Sequence, residues 1–507
     1  MTENPPTFFL DFRGGHAQHA AGSKIDDAAM KFRLAVLALV LVSTSPGADR
    51  KLSALIIDGM NNHDWAAGTR AIRSTLEGTG RFTVEVATYP ALKADFSRFD
   101  VVVNNFNGGH LDDGKRWPRE VEIALEKFVR DGGGLVVFHA ANNAFLHWPE
   151  YNQMIGPGWR DKNFGPGLAV VNDKVVQLPK GSGLAPGHGP RHEFEMFVLD
   201  KQHPITAGLP AHWTHPAEQL THGQHGPVEG VTVLTYAFSE VSRQGEPMDW
   251  VKPWGKGRVY TTMLGHTWKD EPNSNLDDLT FQALLARGSE WAATGNVTLP
   301  ANLGWKQLFS GKNLDGWEVR GDGVWSATGD GTLFGQGMRP PKGIKPEHQA
   351  WLYTKRNDFG EFDLHVEFWM PKYGNSGVSI RDISRAHYAI DEPDSVHPEL
   401  AGPVKSTPAH IGYEIQIIDD EAEAFPTGSV YLLDKAKTGL LRHTEWNSMD
   451  IQSRNDMIRV SVNGVLVSQH PGEAGRSKTG PIGLQLHDRF SAIMFRNIRL
   501  RELPAAH

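Results

Sequence analysis

Between residues 52 and about 294, short apolar runs alternate with stretches whose apolar positions recur at helical spacing. This alternation predicts βαβ units around a mainly parallel sheet. The expected strands are 52–57, 82–87, 101–103, 135–138 and 259–263, and the expected helices 66–77, 120–130 and 280–293. Asp131-Gly132-Gly133-Gly134 ends the second helix, because glycine readily takes the left-handed backbone that closes a helix. Across 295–304 the helical pattern gives way to Asn, Pro and Gly, and from Trp305 onward strands with turn signals take over. Phe362 to Phe368 alternates with a period of two. The runs 459–462 and 465–469 flank Asn463-Gly464, a dipeptide favoured in two-residue hairpin turns. Short strands at this spacing predict a β-sandwich. The proline-rich stretches 338–348 and 386–408 read as long loops, and no internal repeat is visible.

The length of 507 residues sharpens this into separate domains, since a single core stops growing at roughly 250–300 residues. The pattern puts one domain at 49–296, a linker at 297–304 and a second domain at 305–507. A net charge of -8 without a Lys/Arg-rich block leaves no footprint for a phosphate backbone, so no nucleic-acid partner is expected. The absence of cysteine removes disulfides, thiolate ligands and a cysteine nucleophile. Lys31-Phe32-Arg33, the apolar run 34–42 and the small residues up to Ala48 have the order of a secretory signal. The expectation is therefore a signal peptide over 30–48 starting at Met30, with 1–29 an upstream extension. The apolar run is too short to span a bilayer, so no permanent membrane span is expected, and the mature chain is expected in the periplasm or medium.

Open parallel sheets bind ligands beyond the carboxyl ends of their strands. Four such ends carry polar groups: His63-Asp64-Trp65, Asn104 to Asn107, His139 and Gly265-His266. Each alone reads equally as a loop residue, and it is their common edge that suggests a site. Histidine there serves as a proton carrier or a neutral metal ligand. Three histidines on separate loops have no diagnostic ligand spacing, so the sequence names no cofactor and leaves a divalent metal open.

Gly133-Gly134-Leu135-Val136-Val137-Phe138-His139-Ala140, His203-Pro204-Ile205-Thr206-Ala207-Gly208-Leu209 and the stretch from Gly255 through Gly265-His266 resemble the ThuA-like trehalose-utilisation family. The resemblance implies a fold like class I glutamine amidotransferases, whose nucleophilic cysteine stands at a strand-to-helix turn. His139 occupies that turn here, which excludes amidotransferase chemistry. It also implies that His63, His139 and His266 line a sugar site. Where the family usually carries Asp-Glu-Leu-Tyr, this chain reads Glu218-Gln219-Leu220-Thr221, so only Glu218 keeps the acidity.

In the second half, the period of two puts Tyr413, Ile415 and Ile417 on one face of a strand, with Glu414 and Gln416 on the other. Val378 and Ile380 likewise oppose Ser379 and Arg381, and Leu484 and Leu486 oppose Gln485 and His487. If these strands are neighbours, a carboxylate, a guanidinium and an imidazole share one polar face, enough for acid/base chemistry. A solvated outer face has the same pattern.

The motifs from Leu308-Phe309-Ser310-Gly311 to Gly316-Trp317, Gly374-Asn375-Ser376-Gly377, Gly412-Tyr413-Glu414-Ile415-Gln416, Glu445-Trp446-Asn447, Gly480-Pro481-Ile482-Gly483-Leu484-Gln485 and Phe495-Arg496-Asn497-Ile498 together resemble the 3-keto-disaccharide hydrolase domain family. The resemblance implies a concanavalin-like jelly roll with Asn375, Ser376, Arg381, Glu414, Gln416 and His487 at its site. Trp446 is either a platform for a sugar ring or a core residue. The implied substrate is a glycoside whose carbon 3 an upstream sugar 3-dehydrogenase has oxidised, cleaved by elimination and hydration. Glu414 and His487 are the expected base and acid, with Arg381 or Asn375 facing the oxyanion. Two rivals remain at this stage. One is a conventional hydrolase using a second carboxylate, Asp419 or Glu445, and the other is a carbohydrate-binding sandwich without chemistry.

Overall fold

The structure, a computed structural model, describes residues 50–108, 116–269, 271, 273–338, 349–392 and 408–503. The expected signal peptide, the upstream extension and most of both expected long loops lie outside them. The first half contains strands β1 Leu52–Asp58, β2 Phe82–Thr88, β3 Val101–Asn104, β4 Gly134–Phe138, β5 Gly167–Val171, β6 Lys174–Leu178, β7 Gly187–His188, β8 His192–Val198, β9 His212–Glu218, β10 Thr221–His222, β11 Thr232–Ser239, β12 Gln244–Trp254 and β13 Gly257–Thr262. Its helices are α1 Trp65–Gly78, α2 Arg119–Asp131, α3 Pro149–Ile155 and α4 Leu279–Thr294. Every expected strand and helix is present.

The sheet runs β2-β1-β3-β4-β13 in parallel, then continues antiparallel through β12-β11-β8-β9. The expectation of a mainly parallel sheet therefore holds for one half only. The antiparallel half hides in the sequence because a strand such as His212-Trp213-Thr214-His215-Pro216-Ala217-Glu218 has neither an apolar run nor clean alternation. Helices cover both faces of the parallel half, and β1 shows the consequence. Leu52, Ala54 and Ile56 pack in the core that includes Ile72 and Leu76 of α1, while Leu55 and Ile57 pack in the core that includes Val121 and Leu125 of α2.

The second half is antiparallel throughout: β14 Trp305–Gln307, β15 Trp317–Arg320, β16 Gly323–Ala327, β17 Leu333–Gly337, β18 Ala350–Thr354, β19 Phe362–Trp369, β20 Asn375–Ile380, β21 Tyr413–Ile418, β22 Asn447–Arg454, β23 Met457–Val462, β24 Val465–Pro471, β25 Ile482–Leu486 and β26 Ala492–Glu502, with one short helix, α5 His387–Ile390. One sheet runs β16-β17-β26-β19-β22-β23-β24 with β14 on β26, and the other β15-β18-β25-β20-β21. A single core fills the space between them. Phe362, Leu364, Val366 and Phe368 enter from the first sheet, and Val378, Ile380, Ile415, Ile417 and Leu484 from the second. The expected hairpin closes at Asn463-Gly464, both with positive φ (50° and 78°), the backbone that lets a two-residue turn match the strand twist. No helix among the described residues is long and apolar enough to cross a membrane.

Candidate functional site

With the odd residues of β20 and the even residues of β21 turned away from the core, the five-stranded sheet presents a polar face. Strand register sets Tyr353, Gly483, Ser379 and Glu414 side by side across four strands. The next row carries Trp351 opposite Gln485, and Gly377 opposite Gln416. The glycines in these rows are needed for close approach. A Cβ on Gly377 would stand 3.0 Å from Glu414 Oε1 and 3.3 Å from Gln485 Oε1, and one on Gly483 would stand 2.4 Å from the Tyr353 ring. Glu414 and Gln485 therefore lie over a gap in the row. Gly377→Ala is expected to leave the fold intact and shift Glu414 by a few tenths of an ångström, which under an acid/base role for Glu414 lowers kcat roughly tenfold. Steady-state kinetics beside a thermal melt will separate the two effects.

This face is not the solvated outer face of an ordinary sandwich. Glu414 is 3% exposed and Gln485 0%. Ala386 and Ala389, on and just before α5, pack against Trp351 and Tyr353. Asp382 fastens that cover: it accepts from the Tyr353 hydroxyl (2.7 Å), the Ser384 hydroxyl (2.6 Å) and the Ala386 amide (2.8 Å). Gln485 Nε2 donates to Glu414 Oε1 at 2.9 Å, while Glu414 Oε2, Gln485 Oε1 and Asn375 Oδ1 are buried with no hydrogen-bond partner among the described residues. Buried polar atoms are nearly always paired, so unpaired acceptors gathered on one face mark it as a candidate ligand site. Burial pushes the Glu414 carboxyl up to about 8; the Gln485 bond opposes this and the charge of Asp382 adds to it.

The structure separates the other expected residues from this centre. Ser376 alternates onto the core face beside Ile417, and its hydroxyl donates to the Gln485 carbonyl at 2.7 Å. The alternation that should have put Arg381 beside Ser379 breaks at the strand end, where Arg381 has φ 58°. Its guanidinium instead reaches the other sheet, to Asp456 (3.1 Å) and the Ser453 hydroxyl (2.7 Å). His487 lies four residues beyond Gly483 on the same chain, roughly 13 Å from the Glu414 row at the usual strand rise. It is half-exposed, with Asp488 at 3.3 Å. Trp446 is half-buried outside the core, with the Arg496 guanidinium over its ring at 4.1 Å. Of the two candidates for a second carboxylate, Asp419 is tied to His443 and to the Tyr373 amide, while Glu445 is exposed just before β22.

A second constellation lies at the sheet edge of the α/β half. His63 follows β1, His139 follows β4 and His266 follows β13, and the three rings meet at centroid separations of 4.2–5.0 Å. His139 sits in the left-handed region (φ 42°) as β4 turns sharply into a 3-10 turn, and its Nδ1 contacts the Met263 carbonyl at 2.6 Å. His63 Nδ1 meets Asn61 Oδ1 at 3.0 Å. The His266 ring stacks on Trp268 at 4.1 Å. Burial, then the neighbouring imidazoles, holds His266 well below its ordinary pKa, and burial likewise lowers His139, so these two rings are neutral near pH 7.

Glu218, expected among the sugar-site residues, stands behind them. It is fully buried, and its Oε1 accepts the Gly265 and His266 amides at 2.9 Å. Its Oε2 accepts from Asn275 and meets His215 Nε2 at 2.8 Å, and His215 Nδ1 meets Asp278 at 2.7 Å. Sequence reading missed His215 and Asp278. The only local signal was the His-x-x-Glu spacing at the end of β9.

An α/β sheet with histidines at its strand ends, followed by a sandwich with a buried carboxyl on a glycine-opened polar face, defines a two-part protein equipped to process a small polar substrate. Residues 53–292 match the trehalose utilisation (ThuA) family, and residues 304–501 match the 3-keto-alpha-glucoside-1,2-lyase-like domain. A proposed ThuA-like protein from Parabacteroides merdae is 34% identical over 49% of this chain and 92% of its own, with a TM-score of 0.46. Two proposed glycosyl hydrolases from Parabacteroides distasonis are 21% and 25% identical; they cover 40% and 39% of this chain and 95% and 99% of their own, with TM-scores of 0.30 and 0.29. No curated protein matches the chain. The chain belongs to the ThuA family in its first half and carries a 3-keto-alpha-glucoside-1,2-lyase-like domain in its second, a combination that supports a role in carbohydrate processing.

Proposed function

We propose that the protein is an exported carbohydrate-active enzyme that cleaves 3-keto-glycosides at the polar face around Glu414, by elimination and then hydration. The observation that carries this reading is the buried Glu414 carboxyl with one oxygen unpaired and a pKa raised to about 8. A ketone at carbon 3 acidifies the hydrogen on carbon 2, and a carboxylate with a raised pKa is a stronger base than an ordinary one, still partly ionised near neutrality. Glu414 takes the carbon 2 proton, and the electron pair passes to the enolate. The enolate expels the oxygen on carbon 1, forming the C1=C2 bond, and the proton on Glu414 leaves with that oxygen. Water then adds at carbon 1 and a proton at carbon 2, giving net hydrolysis. Asn375, on the same face, donates its side-chain amide N–H to the enolate oxygen.

One group serves as base and then acid because His487 stands too far along the sheet to share the step. His487, at the half-exposed end of the face, contacts the outer part of the substrate. In this reading the α/β half has the class I glutamine amidotransferase type of sheet and the paired sheets are a concanavalin-like jelly roll. The domains fall at 49–296 and 305–507 with a linker at 297–304, and residues 30–48 direct the chain to the periplasm or medium. A separate sugar 3-dehydrogenase supplies the ketone.

The test is incubation of the intact protein with a 3-keto-disaccharide and with its unoxidised parent, in deuterated water. Cleavage of the ketone alone, with deuterium at carbon 2 of the product, is expected. Cleavage of the parent alone would instead indicate a conventional hydrolase, and cleavage of neither would overturn the enzyme reading.

A further inference from the structure

We propose that His63, His139 and His266 are the protein ligands of a divalent transition-metal ion of the zinc, cobalt or iron class, bound at the sheet edge of the α/β half with a coordination position left for a sugar oxygen. Only the sugar oxygen rests on the carbohydrate reading; the metal stands on geometry. The three histidines each offer a ligand nitrogen, and these nitrogens lie within 4.8 Å of one another. A tetrahedral ion with bonds of about 2.1 Å needs such nitrogens roughly 3.4 Å apart, so side-chain rotations that close the trio by about an ångström complete the site.

The surroundings are those that metal-bound histidines require. A ligating imidazole almost always gives its other nitrogen to an oxygen acceptor, which fixes its tautomer and orientation. His139 does this with Nδ1 on the Met263 carbonyl (2.6 Å) and His63 with Nδ1 on Asn61 Oδ1 (3.0 Å), which turns the Nε2 side of each ring to the coordinating role. His266 is held differently, by its stacking on Trp268 and by the two amides at its turn bound to Glu218. The strained backbone at His139 is the further mark of a side chain held in place for a task.

The donor set selects the ion. Three imidazoles and no carboxylate suit zinc, cobalt or ferrous iron and not magnesium or calcium, which want oxygen. Three protein ligands leave a fourth position, the arrangement of a catalytic rather than a structural ion. There the ion would polarise a sugar carbonyl or hydroxyl. His188 lies at the rim, its ring 6.4 Å from that of His266, and is not a ligand.

The full chain, stripped with a chelator, is titrated with Co²⁺ while its visible ligand-field absorption is followed, and Zn²⁺ is then added as competitor. Binding of about one ion per chain, displaced by zinc, is expected. His139→Ala and His266→Ala should weaken binding at least 100-fold, and Asn61→Ala, which removes the oxygen that orients His63 together with a hydrogen bond to the Asn105 carbonyl, by roughly 10- to 100-fold. His188→Ala should bind as the parent does, and so should Glu414→Gln, which separates this proposal from the sandwich chemistry. Circular dichroism checks each variant's fold, and if His139→Ala does not fold, Asn61→Ala carries the test. No cobalt absorption in the parent protein, or unchanged binding in His139→Ala and Asn61→Ala, would overturn the proposal.

Discussion

Glu414→Gln is expected to lower kcat on a 3-keto-glycoside by roughly 10²–10⁴-fold, the span typical of losing a positioned acid/base group, with KM little changed. Glutamine keeps the shape that fills the gap over Gly377 and can still meet Gln485, so substrate binding survives where proton transfer does not. The pH dependence gives an independent check. The base form of Glu414 accumulates as pH rises toward about 8, so kcat/KM of the parent should climb through neutrality and level off above that value. Residual activity of the variant should lack that rise.

Stability should move the opposite way. The folded pKa lies above the unfolded value of 4.5, so the carboxyl costs the fold nothing below pH 4.5, and the burial penalty grows as pH rises toward 8. Glu414→Gln should therefore match the parent's Tm near pH 4 and exceed it near pH 9. An activity loss without this stability crossover would mean that Glu414 ionises freely in the folded protein.

Sequence periodicity carried the reading to Glu414 and not to its neighbours, for a physical reason. Alternation is reliable inside a strand, and Glu414, Gln416 and Gln485 lie inside regularly paired strands, β21 on β20 and β25 between β18 and β20. Arg381 is the first residue after β20, where the backbone turns into the left-handed region and the alternation no longer dictates direction. The same period shows that Ser376 must face the core with Val378, but the family motif around it drew it into the expected site. The burial of the face could not be read at all. It depends on Ala386 and Ala389 packing down and on Asp382 tying Tyr353 to the chain after it, contacts between residues far apart in sequence or hidden in a loop.

In the α/β half, the strand-end rule found His63, His139 and His266 because such positions converge by topology. It could not tell a residue at the edge from one behind it. Glu218 entered the expected sugar site through the family motif, yet its carboxylate is wholly engaged by His215, Asn275 and the turn that carries His266. His215 was invisible because β9 lacks the apolar pattern of a strand, so nothing in the sequence marked its side chain as buried.

Removing Glu218 should therefore be the most destabilising single change in this half. Burial disfavours a charged His215, but its hydrogen bonds to Asp278 and Glu218 outweigh that and raise its pKa to about 9, so at neutral pH it is a buried cation between two carboxyl groups. Glu218→Ala leaves that cation half-paired and also orphans the Gly265 and His266 amides; breaking a buried pair in this way costs about 3–5 kcal/mol. For a unit of this size that lowers Tm by roughly 6–20 °C. Adding His215→Leu should recover part of the loss, because the stranded charge goes with it.

The pH window follows from the signs. His215 has a folded pKa above its unfolded 6.5, so its contribution is complete below 6.5 and disappears as pH rises through about 9. Glu218 is held below its ordinary 4.5, burial opposing this and His215 prevailing, so its contribution is present above 4.5 and disappears as pH falls beneath that. The Tm difference between the parent and Glu218→Ala should be largest between about pH 4.5 and 6.5 and shrink on either side. A difference that stays flat from pH 4 to 10 would mean that the network is held by packing and not by charge.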